Sequence, residues 1–123
     1  MNENLKSAGV RCAKTFNEDF LEVSIPKEEI EYVLLDPSCS GSGIRNRGDD
    51  DEHKTIDVER LERLSTLQKR MIRFVLSEFP RLKRMTYSTC SIHQQENEDV
   101  IETILDEFGD QFEVSERFQS LLN

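Results

Sequence analysis

Tryptophan is absent, and glycine (five), proline (three), cysteine (three) and histidine (two) are all sparse in the 123 residues. None of the glycines stands in a GxGxxG turn, a phosphate loop ending in Lys-Ser/Thr, or a GxSxG elbow, so dinucleotide, nucleoside-triphosphate and serine-hydrolase readings are poor matches. No CxxC pair or clustered second histidine accompanies Cys90 and His93, which disfavours a zinc site; His53 and His93 read as solvated polar residues. No apolar run approaches the ~18 residues of a membrane span. The N-terminal MNENLKSAG lacks the basic-then-apolar layout of an export signal, so an oxidising compartment is not expected and the thiols are expected to be free. Basic residues are also in deficit. Sixteen Lys and Arg against 25 Asp and Glu give a net charge of -9, which argues against this chain alone being a strong phosphate-backbone binder, and any nucleic acid needs a local basic face.

What remains is a hydrophobic content of 36% against 33% charged residues, the balance of one soluble domain with a polar segment. Tyr32 to Leu35 is an apolar run of strand length that stops at Asp36-Pro37, as a buried parallel strand does at its carboxyl end. Residues 44–56, with the acids Asp49 to Glu52, read as a mobile acidic loop. Val58, Leu61, Leu64, Leu67, Met71, Phe74 and Val75 recur at spacings of three and four, which predicts an amphipathic helix ending near Pro80. Met85 to Ser88 reads as a strand, and Val100 to Phe108 as a second helix stopped by Gly109, with capping-box spacing at Ser91 and Gln94 and acids at Glu96, Glu98 and Asp99 near its positive end. Short strands are expected over Val10–Phe16, after a Gly9 that ends a helical fragment, and from Gln111 to Ser115. Strand alternating with helix predicts an open α/β sheet whose ligand edge lies outside the carboxyl ends of the strands.

Two cysteines fall on that edge. YVLLDPSCSGSG at 32–43 and MTYSTCSIH at 85–93 each place a thiol between hydroxyl residues just past a strand. A structural cysteine more often lies inside an apolar run, and the reactive form is the thiolate, which neighbouring helix N-termini favour. Two such loops, one with an adjacent acid, make Cys39 and Cys90 candidates for nucleophilic chemistry. Cys12 has no such setting and reads as structural. By residue type alone, Asp36 begins a turn with Pro37, Asp19 is a solvated acid, and Glu96-Asn97-Glu98 is helix-start chemistry.

DPSCSGSG at 36–43 and YSTCSIHQQENEDV at 87–100 resemble the paired cysteine motifs of the Sun (NSUN) family of RNA cytosine-5 methyltransferases, in the form of its large-subunit ribosomal RNA subfamily. EDFLEV at 18–23 resembles the acidic segment ahead of the first motif, and the similarity spans most of residues 5–108. The resemblance implies a Rossmann-like sheet, S-adenosylmethionine as methyl donor, ribosomal RNA as partner, no metal, and a nuclear or nucleolar address. It implies that Cys90 adds to carbon 6 of cytosine, making carbon 5 nucleophilic, and that Cys39 assists proton removal and release. It gives Asp36 a place at the cytosine edge beside the donor, and Asp19 the adenine part of the donor. The family's glycine-rich turn after a first strand, its upstream basic RNA-binding module and its last basic strand-and-loop motif have no counterpart in these residues. Residues 1–123 are therefore expected to be the catalytic-cysteine part of a methyltransferase domain, inactive alone; the alternative is a non-enzymatic remnant or interaction module.

Overall fold

The computed structural model describes residues 2–44 and 57–115. The acidic segment expected as a loop lies outside them, apart from Ile44. A short helix α1 (Asn2–Ser7) is followed by coil with two 3₁₀ turns (Phe20–Glu22 and Lys27–Glu29), strand β1 (Tyr32–Leu35), helix α2 (Val58–Glu78), strand β2 (Arg84–Tyr87) and helix α3 (Glu98–Phe108).

The two strands pair in parallel, from Tyr32 opposite Arg84 to Leu35 opposite Tyr87. Parallel partners cannot be joined by a tight turn, and α2 is the crossover that returns the chain to the start of the sheet. Its start is set by Asp57, whose carboxylate accepts the Arg60 N–H at 3.0 Å. Its end is set by Pro80, which disfavours helical backbone at Phe79, so the helix stops at Glu78. α3 begins with Glu98 and Asp99 in its first turn, where carboxylates meet the unpaired N–H groups.

α2 and α3 cover one face of the sheet. Leu35, Ile72, Val100 and Ile104 form the core, with Phe20, Val33, Met71, Leu76, Met85, Tyr87, Ile101 and Phe108 packed around it. Each fully buried aliphatic side chain removes apolar area worth about 1.5–3 kcal/mol. Side chains alternate along a strand, so Val33 and Leu35 point inward while Tyr32 and Leu34 remain 66% and 75% exposed. β1, expected to be a buried strand, is thus covered on one face only among the described residues.

Three other expectations are corrected. Residues 10–16 and 112–115 are coil, because no strand among the described residues pairs with either, and an extended segment without a ladder is not a strand. The face that α2 buries is Leu61, Ser65, Gln68, Ile72 and Val75, which shares Leu61 and Val75 with the predicted stripe but is rotated from it, leaving Leu64, Leu67, Met71 and Phe74 half-buried and Val58, the first residue of that stripe, 60% exposed. Two polar residues, Ser65 and Gln68, therefore lie in the middle of the buried line. The capping box at Ser91 and Gln94 does not form. A single 3₁₀ turn, Gln94–Glu96, intervenes before α3, and the Ser91 hydroxyl accepts the His93 N–H at 3.0 Å.

Candidate active site

Both cysteine loops leave the sheet at its carboxyl edge and are bonded to each other. Gly43 N–H donates to the Cys90 carbonyl at 2.9 Å, and Ile92 N–H donates to the Ser42 hydroxyl at 3.0 Å. The hydroxyls of Ser40, Ser42 and Ser91 close a triangle with sides of 3.1–3.3 Å. A Cβ on residue 43 would lie 2.9 Å from the Cys90 carbonyl oxygen, so only glycine permits this approach. At residue 41 the backbone has φ 71°, the left-handed region that glycine adopts without strain. SGSG is thus a docking strip for the second cysteine loop.

The docking brings the thiols together. Cys39 Sγ and Cys90 Sγ are 3.1 Å apart, with Cys39 half-buried and Cys90 exposed. Asp36, at the end of β1, is exposed and accepts the Ser88 hydroxyl at 3.0 Å from the end of β2. Pro37 behind it is buried. The expected acid and both expected thiols therefore share one edge.

The setting of Cys90 differs from expectation. Its thiol is pushed above the ordinary range, first by the hydrogen bond with Cys39, then by desolvation, and also by the charges of Cys39 and Asp36. A helix N-terminus was expected to favour the thiolate; among the described residues the dominant neighbour is the second thiol. Asp19 makes no hydrogen bond to either cysteine loop among the described residues: its carboxylate accepts the Leu21 N–H at 2.9 Å and caps the 3₁₀ turn Phe20–Glu22, which is held on α2 by an edge-to-face contact of Phe20 with Phe74.

Glu96, expected to serve the helix start, is instead completely buried between the loops. Its carboxylate accepts the Ser40 N–H at 3.0 and 3.3 Å and Gln68 Nε2 at 3.0 Å. Burial alone raises its pKa, but the bonds from Ser40, Ser91 and Gln68 outweigh that and hold the carboxyl below the usual carboxylate range. Tyr87 Oη donates to the Glu96 carbonyl at 2.6 Å, and its own ionisation is pushed strongly upward, mainly by burial. Asn97 fixes the other side of the Cys90 loop, accepting from Thr89 at 2.6 Å and donating to the carbonyls of Ser91 and His93 at 3.0 Å. Gln68 and Glu96 were missed as site residues. The signal available was that Ser65 and Gln68 continue the Leu61, Ile72, Val75 spacing, which puts polar groups where a core is due.

Parallel strands with two thiols and an acid at their carboxyl edge define an α/β domain with a paired-cysteine site. Residues 1–120 match the family model described as 16S rRNA methyltransferase RsmB/F, and the chain belongs to that family. It is 44% identical over 102 residues to a mouse 28S rRNA (cytosine-C(5))-methyltransferase, covering 80% of this chain and 22% of the relative. It is 38% identical over 108 residues to the Caenorhabditis elegans 26S rRNA (cytosine-C(5))-methyltransferase nsun-5, covering 85% and 24%. With the Arabidopsis thaliana 25S rRNA (cytosine-C(5))-methyltransferase NSUN5 the identity is 39% over 117 residues, covering 85% and 20%. The chain thus spans between a fifth and a quarter of the length of these relatives.

Proposed function

We propose that this chain carries the nucleophile side of an S-adenosylmethionine-dependent RNA cytosine-5 methyltransferase acting on large-subunit ribosomal RNA. The observation that carries this reading is the 3.1 Å approach of Cys39 and Cys90 beside Asp36, in a family whose relatives are named for this modification. Cys90 is the nucleophile. It is the exposed thiol of the pair, and as thiolate it forms an S–C6 bond with cytosine while the C5–C6 π electrons move toward C5. Methylation at C5 is followed by loss of the C5 proton, and the electrons of that C–H bond restore C5=C6 as the S–C6 bond breaks. Cys39, within hydrogen-bond reach of the Cys90 sulfur, assists that proton removal and the departure of Cys90.

Asp36 fits a place beside the base and donor. One of its oxygens is held by Ser88, and the side chain is exposed at the edge where the thiols lie, so a carboxylate is available to a base edge or to a sulfonium cation. When bound, S-adenosylmethionine supplies the electrophilic methyl group. Asp19, exposed beyond its own turn, is assigned to the adenosine part of the donor. In this reading the family's glycine-rich turn comes from polypeptide other than these residues, and the chain alone is inactive. A nuclear or nucleolar address follows from the same reading.

The test is methylation of a large-subunit RNA fragment with labelled donor by the complete protein. Cys90→Ala abolishes transfer, and Cys39→Ala accumulates a denaturation-resistant RNA–protein band. Equal bands from both variants, or none from either, would sink the assignment.

A further inference from the structure

The peptide groups on both sides of Cys39 are held by one buried pair. The Ser38 carbonyl, immediately before Cys39, accepts Gln68 Nε2 at 3.0 Å; the Ser40 N–H, immediately after it, donates to Glu96 at 3.0 Å. Gln68 and Glu96 are themselves bonded at 3.0 Å, and both side chains are 0% exposed. Gln68 belongs to α2, whereas Glu96 follows the Cys90 loop, so the pair connects one thiol to the helix layer and to the segment bearing the other thiol. We infer that Gln68 and Glu96 are positioning residues that set where Cys39 stands relative to Cys90.

Two features separate this from routine satisfaction of buried polar atoms. Gln68 uses its amide nitrogen for both contacts and leaves Oε1 buried without a partner. Turning the amide over would set its oxygen against the Ser38 carbonyl and the Glu96 carboxylate, so the two contacts dictate its orientation at the cost of a stranded acceptor. Glu96, in turn, has no Lys or Arg partner among the described residues and is stabilised by N–H and hydroxyl donors alone. A buried carboxylate is expensive without such donors, and here they come from the Cys39 loop, the Cys90 loop and α2. An apolar pair would fill the same space without holding either peptide.

The catalytic consequence rests on the proposed function. Cys39 then acts late, after attack by Cys90, so its displacement slows release more than attack. Misplacement by about 1 Å costs up to ~100-fold in rate. Glu96→Gln sets an amide NH2 among donors, and Gln68→Met removes both donors while keeping length.

Two measurements on the complete protein, in a Cys12→Ser background, test this. The first is the equilibrium of the Cys39–Cys90 disulfide with glutathione: two exchange steps convert both thiols and one oxidised glutathione to the disulfide and two reduced glutathiones, so the constant reads the effective concentration of the pair. Glu96→Gln and Gln68→Met are expected to lower it roughly tenfold or more, within the range that orientation controls, with the circular dichroism of the fold retained. An unchanged constant with only a lower melting temperature would overturn the inference, leaving the pair a structural role. The second is the RNA band: both variants accumulate adduct as Cys39→Ala does, with turnover reduced and KM for RNA unchanged. If the constant falls but the parent protein never methylates RNA, the positioning stands and the methyltransferase reading fails.

Discussion

Cys39 and Cys90 are 51 residues apart in sequence, and their sulfurs are 3.1 Å apart in space. At that distance Cys39 is the largest single influence on the Cys90 thiol. Cys90 is raised chiefly by its bond with Cys39, so removing Cys39 lowers its pKa, although Asp36 continues to oppose ionisation. Cys39→Ala is therefore expected to shift the pH profile of Cys90 alkylation to lower pH and to speed alkylation at neutral pH. The measurement is iodoacetamide labelling followed by mass spectrometry. A profile unmoved by the substitution would show that the two sulfurs are not bonded in solution.

Gly43 is the tightest point between the loops. A methyl group there would sit 2.9 Å from the Cys90 carbonyl oxygen, a backbone atom that cannot rotate away. Gly43→Ala is expected to break the Gly43–Cys90 bond and to cost about 1–3 kcal/mol of stability, the usual range for overpacking. Urea unfolding gives the loss, and amide exchange at residue 43 shows whether the bond was its source. An amide at position 43 that stays fully protected in the variant would contradict the close approach.

Much of this arrangement was legible in the chain. The stop of an apolar run at Asp36-Pro37, the short strand-like run Met85 to Ser88, the helical spacing from Leu61 to Val75, and the second stripe from Val100 to Phe108 placed both strands and both long helices. The hydroxyl-flanked cysteines placed the thiols on one edge. The helical spacing marked Gln68 as a position on the buried line but not what it bonds, and Glu96 was not legible at all, because it is indistinguishable in type from the solvated Glu98 until its partners are known. Their partners lie 28–56 residues away, and no local pattern encodes such contacts. The expected terminal strands failed for a related reason: alternation is a local property, whereas a strand needs a neighbour.

Acid should act on the site before it acts on the core. Glu96 has a folded-state pKa below its unfolded value, which is about 4.3 for a free glutamate. Its stabilising contribution is therefore complete at neutral pH, above the unfolded value, and is lost as pH falls through the lower folded value. Stability of the parent protein is expected to decline below about pH 4.3 more steeply than that of Glu96→Gln, which carries no such titration. Denaturant melts from neutral pH down to about pH 3, well below that free-glutamate value, decide it. Parallel curves for the two proteins would show that Glu96 is not held ionised by the loop donors.

The outward face of β1 contributes least to the fold. Leu34 is 75% exposed opposite Thr86, so Leu34→Thr removes little buried area and keeps a branched residue suited to a strand. Its effect on stability is expected to lie within about 0.5 kcal/mol, the range of ordinary surface substitutions. Leu35, in contrast, is 4% exposed and packs with Ile72, Val100 and Ile104, so Leu35→Ala is expected to cost about 2–5 kcal/mol. In the parent chain, amides of Tyr32 to Leu35 are expected to exchange through openings well below ~5 kcal/mol, the lower end of ordinary domain stability, because two paired strands covered on one face leave backbone close to water. Protection at or above that level, together with a large loss from Leu34→Thr, would mean that the exposed face of β1 is covered in solution.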